Sequence, residues 1–124
     1  MTDAAVAERA AALRPQGEKI RAVLIAEVEK LGLAEPLPLP AWEEGQFELQ
    51  RDPASGKESL AVLWKNARGH LQGSILLHAD GSFFAEYDVV RPHPKKTKWF
   101  VEAVTAWGRD DTIKSEARLL PMPE

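Results

Sequence analysis

Residues 71–90 read LQGSILLHADGSFFAEYDVV. Two runs rich in β-branched, aromatic and aliphatic residues flank Asp80-Gly81, a dipeptide that accepts positive φ and marks a hairpin turn. With that pair as the loop, Ala79 lies opposite Ser82, His78 opposite Phe83, Leu77 opposite Phe84, Leu76 opposite Ala85 and Ile75 opposite Glu86. One face then carries Ile75, Leu77 and Phe84, and the other Leu76, Phe83, Ala85, Tyr87 and Val89. Both faces are largely apolar, so the hairpin is expected in the middle of a sheet covered on two sides.

Working towards the N-terminus, Gln46 to Asp52 alternates, with Phe47 and Leu49 on one side and Glu48 and Gln50 on the other. The following DPASGK is turn chemistry, with a proline to preset φ and Gly56 for a left-handed residue. Ser59 to Lys65 is the next strand, which sets Leu49 against Leu60 and Phe47 against Val62. A turn over Asn66 to Gly69 then brings Trp64 to Leu71 and Leu60 to Ile75. In this register Phe47, Leu49, Leu60, Val62, Trp64, Leu71, Ile75, Leu77 and Phe84 share one face of a four-stranded meander.

A helix is expected to lie on that face. Asp3 to Arg14 is alanine-rich, and from about Gln16 to Leu31 the residues Ile20, Val23, Leu24, Val28 and Leu31 form one apolar stripe that Gly32 closes. Pro15 either starts the second run or kinks a longer helix. Residues 34–45, AEPLPLPAWEEG, form a proline-rich crossover with Trp42 pinned against the core; the competing reading is a proline-rich ligand for an aromatic groove. Beyond the hairpin, Thr97 and Gly108 bracket Trp99, Phe100, Ala103, Val104 and Trp107, which predicts a short helix over about 97–107 that partly covers the second face. The same residues forming a fifth strand is the alternative. Thr112 to Leu120 is read as a final strand. The fold expected is thus α+β in a single domain, 1–124: a helical segment over 1–33, the crossover, and an antiparallel sheet of four to five strands over 46–120 with a short helix before the last strand.

Composition excludes some chemistry. The chain has no cysteine, which rules out disulfides, thiolate metal sites and a cysteine nucleophile, and favours a cytoplasmic location. Its start, MTDAAVAERAAALRP, does not read as a signal peptide, and no apolar run approaches the ~18 residues of a membrane span. The formal net charge of -3 argues against wholesale nucleic-acid binding. The charge is polarised, with nine acids against five bases in residues 1–50 and five acids against seven bases in residues 91–124.

Few residues suggest a site. His70 and His78 lie about 26 Å apart along an extended strand at ~3.3 Å per residue, too far to share a metal, and no metal or cofactor motif is present. Glu86 and Asp88, placed by the hairpin register beneath the helix and with Asp88 opposite Gly73, are candidate pocket acids with His78; a desolvated carboxyl there could act as a general acid or base. Arg91, His93, Lys95, Lys96, Lys98 and Trp99 form a basic stretch before the expected helix start, a candidate anion or nucleic-acid site. The thinly covered second face predicts a homodimer with Phe83, Tyr87, Trp99 and Trp107 as anchors. The function expected is a non-enzymatic protein-binding module of adaptor, chaperone or inhibitor type. The alternatives are an anion-binding domain using the basic stretch and a small enzyme with a pocket at Glu86 and Asp88.

Overall fold

The computed structural model describes residues 3–34, 39–51 and 53–122, so Glu35 to Pro38 of the crossover and Asp52 of the first turn lie outside the described residues. One helix, α1 (Asp3–Leu31), precedes a single 3-10 turn at Trp42–Glu44 and six strands: β1 (Gln46–Arg51), β2 (Glu58–Lys65), β3 (Leu71–His78), β4 (Ser82–Pro92), β5 (Trp99–Arg109) and β6 (Thr112–Pro121). The strands form one antiparallel meander in chain order, β1-β2-β3-β4-β5-β6. The class is α+β, with six strands where four to five were expected. No helix among the described residues is long and apolar enough to cross a membrane.

Pro15 lies inside the helix, where it neither starts nor ends it. Proline removes one i→i−4 bond, the one to Ala11; both residues are on the exposed side, where water can satisfy that carbonyl. The opposite side buries Ala10, Gly17, Ile20, Leu24 and Leu31 against the sheet. Complete burial of Ile20 and Leu24 contributes about 2 kcal/mol each. Gly32, at φ 69°, ends the helix and donates its N–H to the Glu29 carbonyl at 3.1 Å.

The end of the crossover is wedged between helix and sheet. Arg21, at the middle of α1, donates to the carbonyl of Pro40 at 2.7 Å and of Leu39 at 3.2 Å, and pairs with Glu18 at 3.0 Å. The buried Trp42 ring occupies the space that a side chain at residue 17 would need: a Cβ on Gly17 would lie 2.2 Å from the ring. Trp64 donates its indole N–H to the Ala41 carbonyl at 3.0 Å, so this buried donor is satisfied. Trp42 is therefore pinned against the core, as its place after the prolines suggests.

β1 and β2 pair as expected, with Phe47 opposite Val62 and Leu49 opposite Leu60. β2 and β3 are two residues away from the expected register, with Leu60 opposite Leu77 and Val62 opposite Ile75. An even shift keeps every side chain on its face. Trp64 pairs with Gly73, and after a bulge Lys65 pairs with Leu71, which stays 49 % exposed and outside the expected apolar face.

The β3–β4 hairpin departs from expectation by a single residue, which matters more. Leu77 lies opposite Phe83, Ile75 opposite Ala85 and Gly73 opposite Tyr87. The loop holds three residues, Ala79, Asp80 and Gly81, with Gly81 at φ 88° and its N–H bound to the His78 carbonyl at 3.1 Å. This is the three-residue hairpin whose last residue is left-handed, and it accepts Asp-Gly as readily as a two-residue loop does. The odd shift exchanges the faces of β4. Phe83, Ala85, Tyr87 and Val89 are buried beneath α1, whereas Phe84, Glu86 and Asp88 point to the other side. The Tyr87 ring covers the side-chain-free Gly73, whose added Cβ would lie 2.9 Å from it.

The helix expected over 97–107 is absent: Thr97 and Lys98 lie in a turn, and Trp99 to Trp107 belong to β5, paired with β4 and β6, which is the strand alternative. A bulge between Val101 and Ala103 advances the phase, so that Val101, Val104 and Ala106 all join the core while breaking simple alternation. Gly108 serves close approach and caps no helix: a Cβ there would lie 1.9 Å from the Thr112 carbonyl oxygen. The opposing strand β4 has its own irregularity between Asp88 and Arg91, where Val90 adopts φ 52°. A β-branched residue is strained in that conformation.

Candidate functional site

With α1 on one face, the other face of the sheet has no helix or strand of the described residues over it, and its side chains fall in ordered rows. Across all six strands the central row is Glu48, Ala61, Leu76, Phe84, Trp107 and Lys114. Four apolar residues in series end in an acid on β1 and a base on β6. Phe84 is 44 % exposed, Leu76 and Trp107 are half-buried, and the small Ala61 side chain is sheltered between larger neighbours. The adjacent row is Gln46, Leu63, Ser74, Glu86, Thr105 and Glu116, in which Leu63 extends the apolar area and the rest is polar.

One end of this face carries charge. Arg118 of β6 ion-pairs with Glu86 of β4 and lies 3.9 Å from Glu102 of β5. Asp88 pairs with Ala103 on the same face. Burial first, and then the negative charge of Glu86, raise the Asp88 carboxyl above its ordinary range, while Arg118 pulls it back. The Arg118 Nε is sealed from water and makes no hydrogen bond with a described residue. Glu86 and Asp88 are therefore on the helix-free face, and the expected pocket between sheet and helix does not contain them. Among the described residues no three His, Asp or Glu side chains are grouped to hold a metal ion.

The other end is a knot of turns. The Asp80 carboxylate accepts from the Ser82 N–H at 2.9 Å, is bonded by the Ser82 hydroxyl at 2.5 Å and pairs with Arg109 at 3.3 Å. These contacts, the Ser82 hydroxyl above all, lower its pKa to about 2. The Asp110 N–H donates to the Gly81 carbonyl at 2.9 Å, tying the β5–β6 turn to the β3–β4 turn. His78 is exposed, its Nδ1 2.8 Å from the Ser59 hydroxyl. A cleft of about 310 Å³ opens beside these turns, between Arg9, Leu13 and Gln16 of α1 and Leu49, Leu77 and His78 of the sheet. Several of its polar groups are committed to structural contacts: Arg9 is 3.9 Å from Glu58, and the Gln16 amide donates to the Gly81 carbonyl at 3.2 Å.

The basic stretch forms the β4–β5 connection, with Lys95, Lys96 and Lys98 exposed. No helix starts at Thr97, so the helix end invoked there for anions does not exist. Two backbone donors of the stretch are turned inward: His93 Nδ1 accepts from the N–H of Lys95 at 3.1 Å and of Lys96 at 2.9 Å. Lys95 instead reaches the end of α1, its Cε 3.6 Å from where a Cβ on Gly32 would sit, a favourable place for a cation. Arg91 is half-buried at the end of β4 and Trp99 is 40 % exposed at the start of β5.

Of the four expected contact anchors, Phe83 and Tyr87 are buried under α1 and present no surface, whereas Trp99 and Trp107 remain accessible. Phe84, expected on the helix-covered face, belongs instead with Trp107 and with Leu76, which lies on the second face as expected. The signal that finds Phe84 is the alternation of β4 itself, since Phe83, Ala85, Tyr87 and Val89 are apolar throughout and their alternates include Glu86 and Asp88. The chain matches no protein-family model, and neither a curated protein nor a solved structure matches it.

Proposed function

We propose that this protein is a protein-binding module whose contact surface is the helix-free face of its sheet. The observation that supports this reading is the row Ala61, Leu76, Phe84 and Trp107, an apolar band across four adjacent strands with no helix or strand of the described residues over it. Contiguous apolar surface rimmed by polar groups is typical of contact sites, and aromatic residues dominate the energetics of such sites. Glu48, Lys114, Glu86 and Arg109 supply the rim. The band runs across four strands of a six-stranded sheet, an extent that suits a macromolecular surface better than a small ligand.

Affinity capture on the tagged full-length chain tests this, with wild type and Phe84→Glu run side by side. Phe84 is exposed enough for the substitution to leave the fold intact, which a thermal melt checks. The expected result is a protein, either another species or untagged copies of this chain, that wild type retains and Phe84→Glu loses, and that then binds purified wild type but not the variant. Identical captured sets would overturn the reading.

A further inference from the structure

We infer that the occupant of this face is a second copy of the chain, stacked sheet against sheet about a two-fold axis that runs along the strands. The inference rests on the reading above of the helix-free face as a contact surface and adds the identity and orientation of the partner. In a two-fold contact the same patch must complement itself, so each residue's opposite number is fixed by the position of the axis. With the axis between β3 and β4 and parallel to them, β1 faces β6 of the second copy, β2 faces β5 and β3 faces β4. The central row then meets itself reversed. Glu48 comes opposite Lys114 of the second copy, small Ala61 opposite its large Trp107, and Leu76 opposite its Phe84.

Two features favour this axis. Neither Glu48 nor Lys114 makes an ion pair with a described residue, and both are exposed, so each is free to meet its opposite. The adjacent row also pairs well when reversed. Gln46 comes opposite Glu116 and Ser74 opposite Glu86, an amide and a hydroxyl donor each meeting a carboxylate, while Leu63 comes over the small, sealed Thr105, where no charge opposes it. A two-fold along the row instead would set Glu48 on Glu48 and Lys114 on Lys114, which repels at both ends. The strand-parallel axis also gives aligned sheet packing, in which strand directions stay within about 30° and the sheets sit about 10 Å apart. The result is a four-layer assembly with both copies of α1 on the outside.

Sedimentation equilibrium on the full chain, with charge exchange between β1 and β6, tests the inference. Wild type is expected to reach twice the 13.7 kDa of one chain. Glu48→Lys alone and Lys114→Glu alone each turn two attractive contacts into two repulsive ones, and each is expected to raise the dimer dissociation constant about tenfold. The double variant Glu48→Lys with Lys114→Glu restores opposite charges and is expected to return close to wild type. A mass that stays monomeric at the highest attainable concentration overturns the second copy as occupant, and a dimer indifferent to both single exchanges overturns it as well. Neither failure touches the capture result with Phe84→Glu, which judges the contact face separately.

Discussion

The two faces of the sheet are built from the same strands, often from neighbouring residues, yet they do different physical work. Under α1, Ile75, Leu77, Ala85, Tyr87, Val104 and Ala106 are at most 1 % exposed, and the indole and phenol groups there have polar partners. On the other face Phe84 is exposed and Leu63, Leu76 and Trp107 are each partly in water, whereas small side chains such as Ala61 and Thr105 are sealed. The first arrangement is a core, where removing a side chain leaves a cavity that costs more than the lost transfer energy. The second is a surface, where removal leaves nothing to collapse around. The difference lies in what covers a side chain, since both faces carry tryptophan, phenylalanine and leucine.

The sharpest way to break this comparison is to delete the same residue type on each side. Trp42→Ala removes the ring lodged against Gly17 and tilted at 5.3 Å from Phe47, and it is expected to cost about 3–5 kcal/mol in urea unfolding. Trp107→Ala on the open face is expected to cost about 1 kcal/mol or less, at high dilution where any association is absent. Equal losses would mean that the second face is also a core.

A smaller effect, seen through pH, sharpens the electrostatic side. The folded-state pKa of Asp88 is raised, so between the ordinary carboxylate range and that raised value the folded chain holds more protons than the unfolded chain. Stability therefore falls as pH rises through this window, and the penalty is complete above it. Asp88→Asn is expected to raise the melting temperature at neutral pH, with the gain shrinking as the solution is acidified below the window. A gain that persists unchanged in acid would show that charge burial is not its cause.

The sequence carried the architecture further than the register. α1, the crossover pinned by Trp42, the β1–β2 pairing and the Asp80-Gly81 hairpin are all legible, because apolar periodicity and turn residues specify them locally. Besides the two-residue shift between β2 and β3, which leaves the faces unchanged, two features were not. Asp-Gly is compatible with two-residue and three-residue loops, and the one-residue difference sends Glu86 and Asp88 away from the helix. In β5 both faces carry apolar residues, with Val104 under α1 and Ala103 and Trp107 on the other side, so that Trp99, Phe100, Ala103, Val104 and Trp107 together imitate helical spacing. In both cases tertiary pairing decides, through a strand partner lying well outside the local window. The candidate site inherited the first error, since Phe83 and Tyr87 exchanged places with Phe84.

The most direct test of the face assignment is to substitute two adjacent residues, Phe83 and Phe84, with alanine and compare their urea unfolding at high dilution. Phe83 is 3 % exposed beneath α1 and Phe84 is 44 % exposed on the open face. Phe83→Ala is expected to cost about 3–5 kcal/mol, and Phe84→Ala less than about 1 kcal/mol. The reverse order, with Phe84 carrying the stability and Phe83 dispensable, would place Phe84 under the helix and contradict the account.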